Sequence, residues 1–594
     1  METQKIMKGG SFLTEGVSPQ EIFTPEDFTE EHKMIIKTTE DFVKNEVQPH
    51  LEKLEHKDLK LTRELMIKAG ELGLLGADIA QEYGGTEMDK ISSLLISGHM
   101  IGAGSFSLTM GCHTGIGSLP LTFFGNKAQK EKYLPAMASG EKIGAYALTE
   151  PSAGTDALAI KTKAVLSDDG KYYKLNGEKQ FITNGGLADI IFTYAKVDGN
   201  KFTAFIVEKD FEGVSIGPEE KKMGFRGSST TSVILQDAKV PAENVLFNIG
   251  QGHEVAFGIL DLGRFILAGA CVEAAKLVLE QSAKYAKSRT QFGRPISQFG
   301  LIKHKLAEMA TRIYAAESIV YRTGGLIDKI VSTVDMKAED SGEQSAKSIS
   351  EYAIECSINK VFCSEILDYV VDEGVQIHGG YGYIEEYPVE RMYRDSRINK
   401  IFEGTNEINR LTILDWLIRK ALKNEIPLLA MAQKLTGELL NIEPVFPSIE
   451  DATLGYQKKL VDMAKNIFLL TSGAALQKYG KAIAEQQEIL GLLSDIAIQI
   501  YTMESGLLRA LKSVATSGEE QSKMKTDMVK VYVNDAMKRI DDYASQILAA
   551  METGDTLYTQ IGALRKLSRL VPINTVETRR RIADRIVDTE KFTC

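Results

Sequence analysis

The sequence predicts a mostly α-helical protein with a central antiparallel β-domain and an appended C-terminal helical bundle. Three observations carry this. Apolar residues recur at helical spacing from about residue 28 to 145, short β-rich runs replace them from 146 to 252, and helical periodicity returns from 253 to the end. The order is helices, sheet, helices.

Residues 1–27 form an N-terminal extension. In the helical domain 28–145, Leu65, Met66, Ala69, Leu72 and Leu75 repeat at helical spacing ahead of the turn Glu82–Gly85. In the β-domain 146–252, the runs that start at Asp189, Lys201 and Thr230 are rich in β-branched and aromatic residues and end in Gly, Asp, Asn or Pro. Asn176-Gly177, between KYYKL and EKQFIT, predicts a type I′ hairpin, whose two central residues both need positive φ. The second helical domain, 253–420, shows Leu306, Met309, Ile313 and Ala316 at helical spacing, and its polar insert Asp335–Lys347 is expected to be an inter-helix loop. Pro444 and Pro447 in NIEPVFPS mark a linker within the last block, 421–594, whose helices predict a packed bundle.

Composition narrows the function classes. A chain of 594 residues exceeds what one core usually supports. A net charge of -11, from 81 acidic and 70 basic residues, offers no basic face for phosphates, so no nucleic-acid partner is expected. The five cysteines lack CxxC spacing, which argues against a disulfide framework or zinc site. No metal site is expected. The first residues lack the apolar core of a secretory signal and the Arg-rich amphipathic start of a transit peptide, and no apolar run reaches the length of a membrane span. A cytoplasmic protein is expected; a mature mitochondrial form trimmed of its presequence has the same appearance. There is no GxGxxG or GxxxxGK[ST] motif, and GHEVAF lacks the second His of HExxH.

Five segments carry candidate chemistry, and each has a plainer structural alternative. Ala145–Asp156 holds Pro151, Gly154 and the hydroxyls of Thr149, Ser152 and Thr155, which suit a loop approached by an oxygen-rich ligand, or simply a loop. Phe181 and Thr183 alternate along a strand and so share one face, as a platform for a planar ring or as ordinary strand residues. Arg289 and Arg294 flank Phe292 at a helix break; their forks match phosphate oxygens, or face solvent at a corner. Gly379, Gly380 and Gly382 follow a helix, allowing close backbone approach or a sharp reversal, with His378 expected to satisfy the turn. Glu403 precedes Gly404 and Thr405 where a helix begins; Thr405 and Asn406 are capping candidates with Glu407 behind, and Glu403 alone is consistent with a first-turn acid serving the helix dipole.

Together and in this order, the five segments resemble the acyl-CoA dehydrogenase family over about Phe28 to Leu417. The helical block beyond Ala421 looks most like the very-long-chain branch. The resemblance implies a helical domain, a β-domain and a four-helix domain plus the appended bundle, with FAD held by the last two domains and across a subunit interface. It implies that Tyr146, Leu148, Thr149, Gly154 and Thr155 line the flavin, with Phe181 and Thr183 beside its ring. Arg289, Gln291, Phe292, Phe299, Gln376, Gly379 and Gly380 are implied to grip the pyrophosphate and adenosine, and Thr405 and Glu407 to meet FAD after the catalytic loop. Thr155, Asp261, Arg264 and Gly404 are implied to contact the acyl-CoA. Glu403 matches the family's base within its EGT signature, while Gly263 occupies the place where the isovaleryl branch carries its base instead. Many members have Trp at Phe181 and Ser at Thr155.

The implied reaction is α,β-dehydrogenation of an acyl-CoA to a trans-2-enoyl-CoA. The thioester carbonyl is stabilised by hydrogen bonds, water is excluded, hydride passes to flavin N5, and an electron-transfer flavoprotein takes the electrons. Thr109–Ser118 matches the helix that floors the family's acyl pocket, and the resemblance implies that its small residues Gly111, Cys112, Gly115 and Gly117 leave a deep channel for a long-chain substrate. An acyl-CoA oxidase and a dehydrogenase-like assembly factor are the rival expectations. The bundle is expected to cover a second interface and leave a homodimer; a membrane surface is its alternative partner.

Overall fold

The computed structural model describes residues 6–438, 441, 443–448 and 452–594. The start of the N-terminal extension and Ile442 of the expected linker lie outside the described residues. The chain divides into two compact units, Phe28–Glu273 with Ile327–Ser350, and Met1–Asp27 with Ala274–Leu326 and Glu351–Cys594.

The first unit opens with helices α1 (Glu30–Phe42), α2 (Leu51–Glu55), α3 (Leu59–Glu71), α4 (Lys90–His99), α5 (Ser105–Thr114), α6 (Leu119–Phe124) and α7 (Lys127–Ala138). Side-chain caps fix several starts: Asp58 accepts the Leu61 N–H, Asp89 accepts that of Ser92, and Asn126 forms a capping box with Gln129. Leu65, Met66 and Ala69 bury one face of α3, while Leu72 lies past its end and is exposed.

The sheet of this unit is built from β1 (Gly144–Ala147), β2 (Lys163–Leu166), β3 (Tyr172–Thr183), β4 (Ile190–Val197), β5 (Lys201–Glu208), β6 (Val214–Ile216), β7 (Thr230–Pro241) and β8 (Val245–Leu246). Strand order is β6-β7-β3-β2-β4-β5-β8, with β1 beside β4. It is mixed rather than purely antiparallel, because β1 and β2 each run parallel to β4. Tyr173, Leu175, Ile191, Phe205, Val233 and Leu235 form its core.

The expected Asn176-Gly177 hairpin is absent. The strand β3 runs straight through both residues, and the register shift between Leu175 and Gly177 is a bulge. Asn176 instead exchanges hydrogen bonds with Asp237 on β7, and a Cβ at Gly177 would collide with Thr162 at 2.2 Å. Here the dipeptide serves close packing, and the reversal into β3 falls at Gly170, where φ is 71°.

Beyond the sheet come α8 (Gly252–Ser288), α9 (Gly300–Val331) and α10 (Ser341–Ser350). By length and composition alone α8 is apolar enough to cross a membrane, against the expectation that no run is; 61% of that apolar stretch is buried inside the protein, as in a core helix. The second half of the polar insert is helical as α10, because Ser345, Ala346 and Ile349 bury a face and Gly342 lies against the backbone of Phe123 at the end of α6.

The second unit holds a small hairpin, β9 (Thr290–Gln291) with β10 (Arg294–Pro295), and helices α11 (Ala353–His378), α12 (Pro388–Ser396), α13 (Asn406–Leu422), α14 (Leu428–Glu438), α15 (Gly455–Tyr479), α16 (Gln487–Ser517), α17 (Lys523–Met551), α18 (Gly554–Leu567) and α19 (Thr575–Thr589). Ile467 on α15, Ile496 and Ile500 on α16, and Met528 and Ile540 on α17 lie in the bundle core. The N-terminal extension is a strap on this unit. Gly9 and Gly10 donate to the carboxylates of Glu351 and Glu355, and Glu26 pairs with Arg509 on α16.

Candidate active site

Within the first unit, β1 feeds directly into the loop Leu148–Asp156. Tyr146 packs edge-on against Tyr194 at 5.3 Å, and its hydroxyl donates to Ala256 O on α8 at 3.4 Å. Leu148 is buried, whereas Gly154 and Thr155 sit exposed at the loop tip. Thr149 O accepts the Gln180 N–H at 2.9 Å, which ties the loop to β3.

Phe181 does not follow from simple strand alternation. A second register shift in β3, between Lys179 and Ile182, puts Phe181 at φ 59°, and its ring is 58% exposed. Bulges re-aim side chains in this way. Thr183 rejoins the ladder opposite Thr230, and Cys112 on α5 donates to its carbonyl.

Two charged residues absent from the expected set hold this loop. Lys179, wholly buried, donates from Nζ to Glu150 Oε1 at 2.7 Å and to Leu148 O at 3.3 Å. Glu150 also accepts the N–H groups of Lys161 and Thr162 and the Thr162 hydroxyl. Burial pulls the Lys179 ammonium down to about 8, and the nearby Lys179 charge and these hydrogen bonds outweigh the opposing burial to lower Glu150.

Also in the first unit, Asp261 and Arg264 lie one turn apart on α8 and form an ion pair at 3.0 Å, both largely withdrawn from solvent. Burial raises the Asp261 carboxyl, against the Arg264 charge and the Ser350 hydroxyl. The expected small-residue channel is narrower in its causes than the sequence implied. Gly111 borders a small cavity of about 20 Å³ with Ser97, Ser107, Met110, Thr114 and Ile266, and a Cβ there meets nothing within 4 Å. Gly115 and Gly117 instead serve backbone packing, since a Cβ would come 2.8 Å from Gly111 O or 2.7 Å from Cys112 O.

In the second unit, Phe292 and Gly293, at φ 51° and 78°, make the two-residue turn between β9 and β10 and lift the Phe292 ring to 94% exposure. The helix break expected here is thus a hairpin. Phe299 packs against Phe292 and under the Arg294 guanidinium at 4.1 Å, and Arg289 lies over Tyr381. His378 stacks on Tyr285 at 4.2 Å and its Nδ1 bonds Gly374 O, the structural role expected of it. Burial lowers the His378 imidazole. The structure therefore brings the Arg289–Phe299 segment to the Gln376–Gly380 corner that ends α11, with Gln291, Gln376, Gly379 and Gly380 exposed.

Glu403 lies in the loop that enters α13. Its loop is held by Lys360 and Ser364 on α11, about 20 Å from Gln376 at 1.5 Å per residue. Glu403 and Gly404 both have positive φ, 56° and 80°, and Glu403 Oε2 is out of contact with solvent. A non-glycine residue in this region is strained and persists where its surroundings over-determine it. Thr405 then caps α13, accepting the Ile408 N–H at 3.3 Å, as expected. Glu407 is exposed in the first turn, where hydrogen bonding to its own backbone N–H leads the groups that lower its carboxyl.

Models of the acyl-CoA dehydrogenase N-terminal, middle and C-terminal domains match residues 29–141, 145–238 and 250–418, and a further acyl-CoA dehydrogenase C-terminal domain matches 463–566. A probable acyl-CoA dehydrogenase of Bacillus subtilis is 54% identical over 588 residues, covering 99% of each chain. The human mitochondrial very long-chain specific acyl-CoA dehydrogenase is 38% identical over 475 residues, 75% of this chain and 69% of that one. A crystal structure of an acyl-CoA dehydrogenase complexed with FAD from Bacillus anthracis superposes with a TM-score of 0.97 at 53% identity, covering 99% of this chain and 100% of that one.

Proposed function

The chain belongs to the acyl-CoA dehydrogenase family, as an FAD-dependent enzyme, and we propose that it dehydrogenates long-chain acyl-CoA thioesters to trans-2-enoyl-CoA with Glu403 as the α-proton base. The observation that carries the assignment is the strained, side-chain-braced Glu403-Gly404 pair.

The residues present fit FAD. A Cβ added at Gly154, Gly379 or Gly380 meets nothing within 4 Å, so the backbone there is open to close approach by phosphate or hydroxyl oxygens. Phe181 offers an exposed ring for a planar partner, and the exposed Arg289 supplies a fork for the pyrophosphate. Bound FAD supplies the hydride acceptor for the substrate β-carbon.

The chain's own residues do the rest. Glu403 takes the α-proton onto its carboxylate; the left-handed backbone fixes where that carboxylate and the Glu403 N–H point. Exclusion of water strengthens each hydrogen bond to the developing enolate oxygen. Asp261 and Arg264 contact the acyl-CoA, and open space at Gly111 supports room for a long acyl tail. The same proposal places the enzyme at the first step of fatty-acid β-oxidation, as a homodimer whose redox partner is an electron-transfer flavoprotein rather than oxygen. Air-stable bleaching in the absence of an acceptor protein tests the last point.

The decisive experiment is Glu403→Gln. The variant keeps the yellow FAD spectrum and loses bleaching by a long-chain acyl-CoA; a variant that bleaches at the wild-type rate refutes the role.

A further inference from the structure

The loop carrying Glu403 is fastened by polar side chains that end in the appended bundle, all within the second unit. Lys360, fully buried on α11, donates to Gly404 O and to Asn406 Oδ1, each at 2.7 Å. Asn409 Nδ2 faces the carbonyls of Glu403, Gly404 and Thr405 at 3.3, 2.9 and 3.0 Å. Asn406 Nδ2 reaches Glu365 Oε1 at 3.2 Å, and Glu365 receives both terminal nitrogens of Arg410. Arg410 Nε in turn donates to Asp495 Oδ1 on α16 at 2.8 Å, while the neighbouring Ser494 hydroxyl donates to Arg410 O at 2.6 Å.

Arg410 is thus clamped between two carboxylates, one on the four-helix side and one on the bundle. Its guanidinium is planar, so the bond at Nε fixes the direction of the two that grip Glu365. Glu365 in turn orients Asn406, the first residue of α13 and a shared ligand of Lys360. Two successive left-handed residues hold their shape only if such anchors over-determine them.

Resting on the assignment of Glu403 as base, we propose that Arg410, Glu365 and Asp495 are positioning residues for its carboxylate, so that helix α16 of the appended bundle sets the geometry of proton removal. A misplacement of the base by a fraction of an ångström lowers the rate of the chemical step without weakening substrate binding. The bundle is then part of the catalytic geometry and more than a cover.

The test uses FAD-loaded Asp495→Ala, with Asp495→Asn, which keeps an acceptor for Arg410 Nε, as the conservative variant. Because the Asp495 side chain is 22% exposed, neither change leaves a deep cavity. Bleaching by a long-chain acyl-CoA, normalised to bound flavin, is expected to fall on the order of 10-fold in Asp495→Ala at nearly unchanged KM, with a larger isotope effect from α-deuterated substrate. Asp495→Asn recovers most of the rate. Wild-type bleaching per flavin with an unchanged isotope effect in Asp495→Ala overturns the proposal, as does an equal loss per flavin in both variants, since Asp495→Asn keeps the acceptor for Arg410 Nε. Glu403→Gln run in parallel separates the two claims: if it still bleaches, the base assignment itself fails, and if it is inactive while Asp495→Ala is normal, only the positioning role fails.

Discussion

His113 on α5 accepts the Gly144 N–H at Nδ1 over 3.0 Å and so binds the helical domain to the first strand of the sheet. Since Gly144 is the donor, the ring proton lies on Nε2, which faces Met137 O at 3.0 Å. Burial pulls this imidazole down to about 4. The unfolded chain, near the ordinary 6.5, takes up a proton first, so the contribution to stability is full above about pH 6.5 and lost as pH falls through 4. It amounts to roughly 3 kcal/mol. In His113→Gln the thermal midpoint is lower at pH 7 but falls less between pH 7 and 4, which calorimetry at the two pH values measures.

Glu355 gives the opposite slope. Burial pushes its carboxyl up to about 7 while it holds the Gly10 N–H of the N-terminal strap at 2.7 Å. Folded and protonated, it contributes most below the ordinary carboxylate value, and that contribution, roughly 3 kcal/mol, is lost as pH rises through 7. Glu355→Gln keeps an acceptor for Gly10 and flattens the decline in thermal midpoint between pH 5 and 8. An undiminished decline removes Glu355 as its cause.

Lys179→Met leaves Glu150 as a buried charge without its ammonium partner. A loss of about 3–5 kcal/mol in unfolding free energy is expected, together with lower flavin content, because Leu148 O and Glu150 lose the Lys179 ammonium that ties this loop to β3. Chemical denaturation and the flavin-to-protein absorbance ratio read the two effects. Adding Glu150→Gln restores part of the stability, since no uncompensated charge remains.

Gly111→Leu points into the small cavity beside Ser107 and Ile266, where its Cβ meets nothing within 4 Å. Discrimination for palmitoyl-CoA over octanoyl-CoA, as a ratio of kcat/KM, is expected to fall about tenfold or more. The thermal midpoint holds or rises, since leucine is favoured over glycine within a helix by about 1 kcal/mol. An unchanged ratio removes Gly111 from the determinants of chain length.

The parts legible in the sequence were those encoded locally. Thr405 as a helix cap and His378 as a turn residue needed only their neighbours to be read. Asn176-Gly177 misled because its preference for a hairpin is weaker than the pull of two flanking strands on β7, which needs a bulge at that point. Lys179 and Lys360 were illegible, because their partners Glu150 and Gly404 stand 29 and 44 positions away and no periodic pattern marks a buried lysine. Gly115 and Gly117 looked like channel residues for a related reason: small size in a sequence does not say whether the space is left for a ligand or for another backbone.

The left-handed φ of 56° at Glu403 also bears on how this enzyme drifts under selection. Glycine or asparagine occupies that conformation with less strain, by about 1 kcal/mol or more. With Glu403 as the proposed base, a library screened for thermal tolerance alone is expected to enrich Gly or Asn at 403 and lose turnover, whereas a screen that alternates heat with turnover is expected to keep the glutamate. On that proposal the fold and the chemistry prefer different amino acids at this position, and only turnover records the difference.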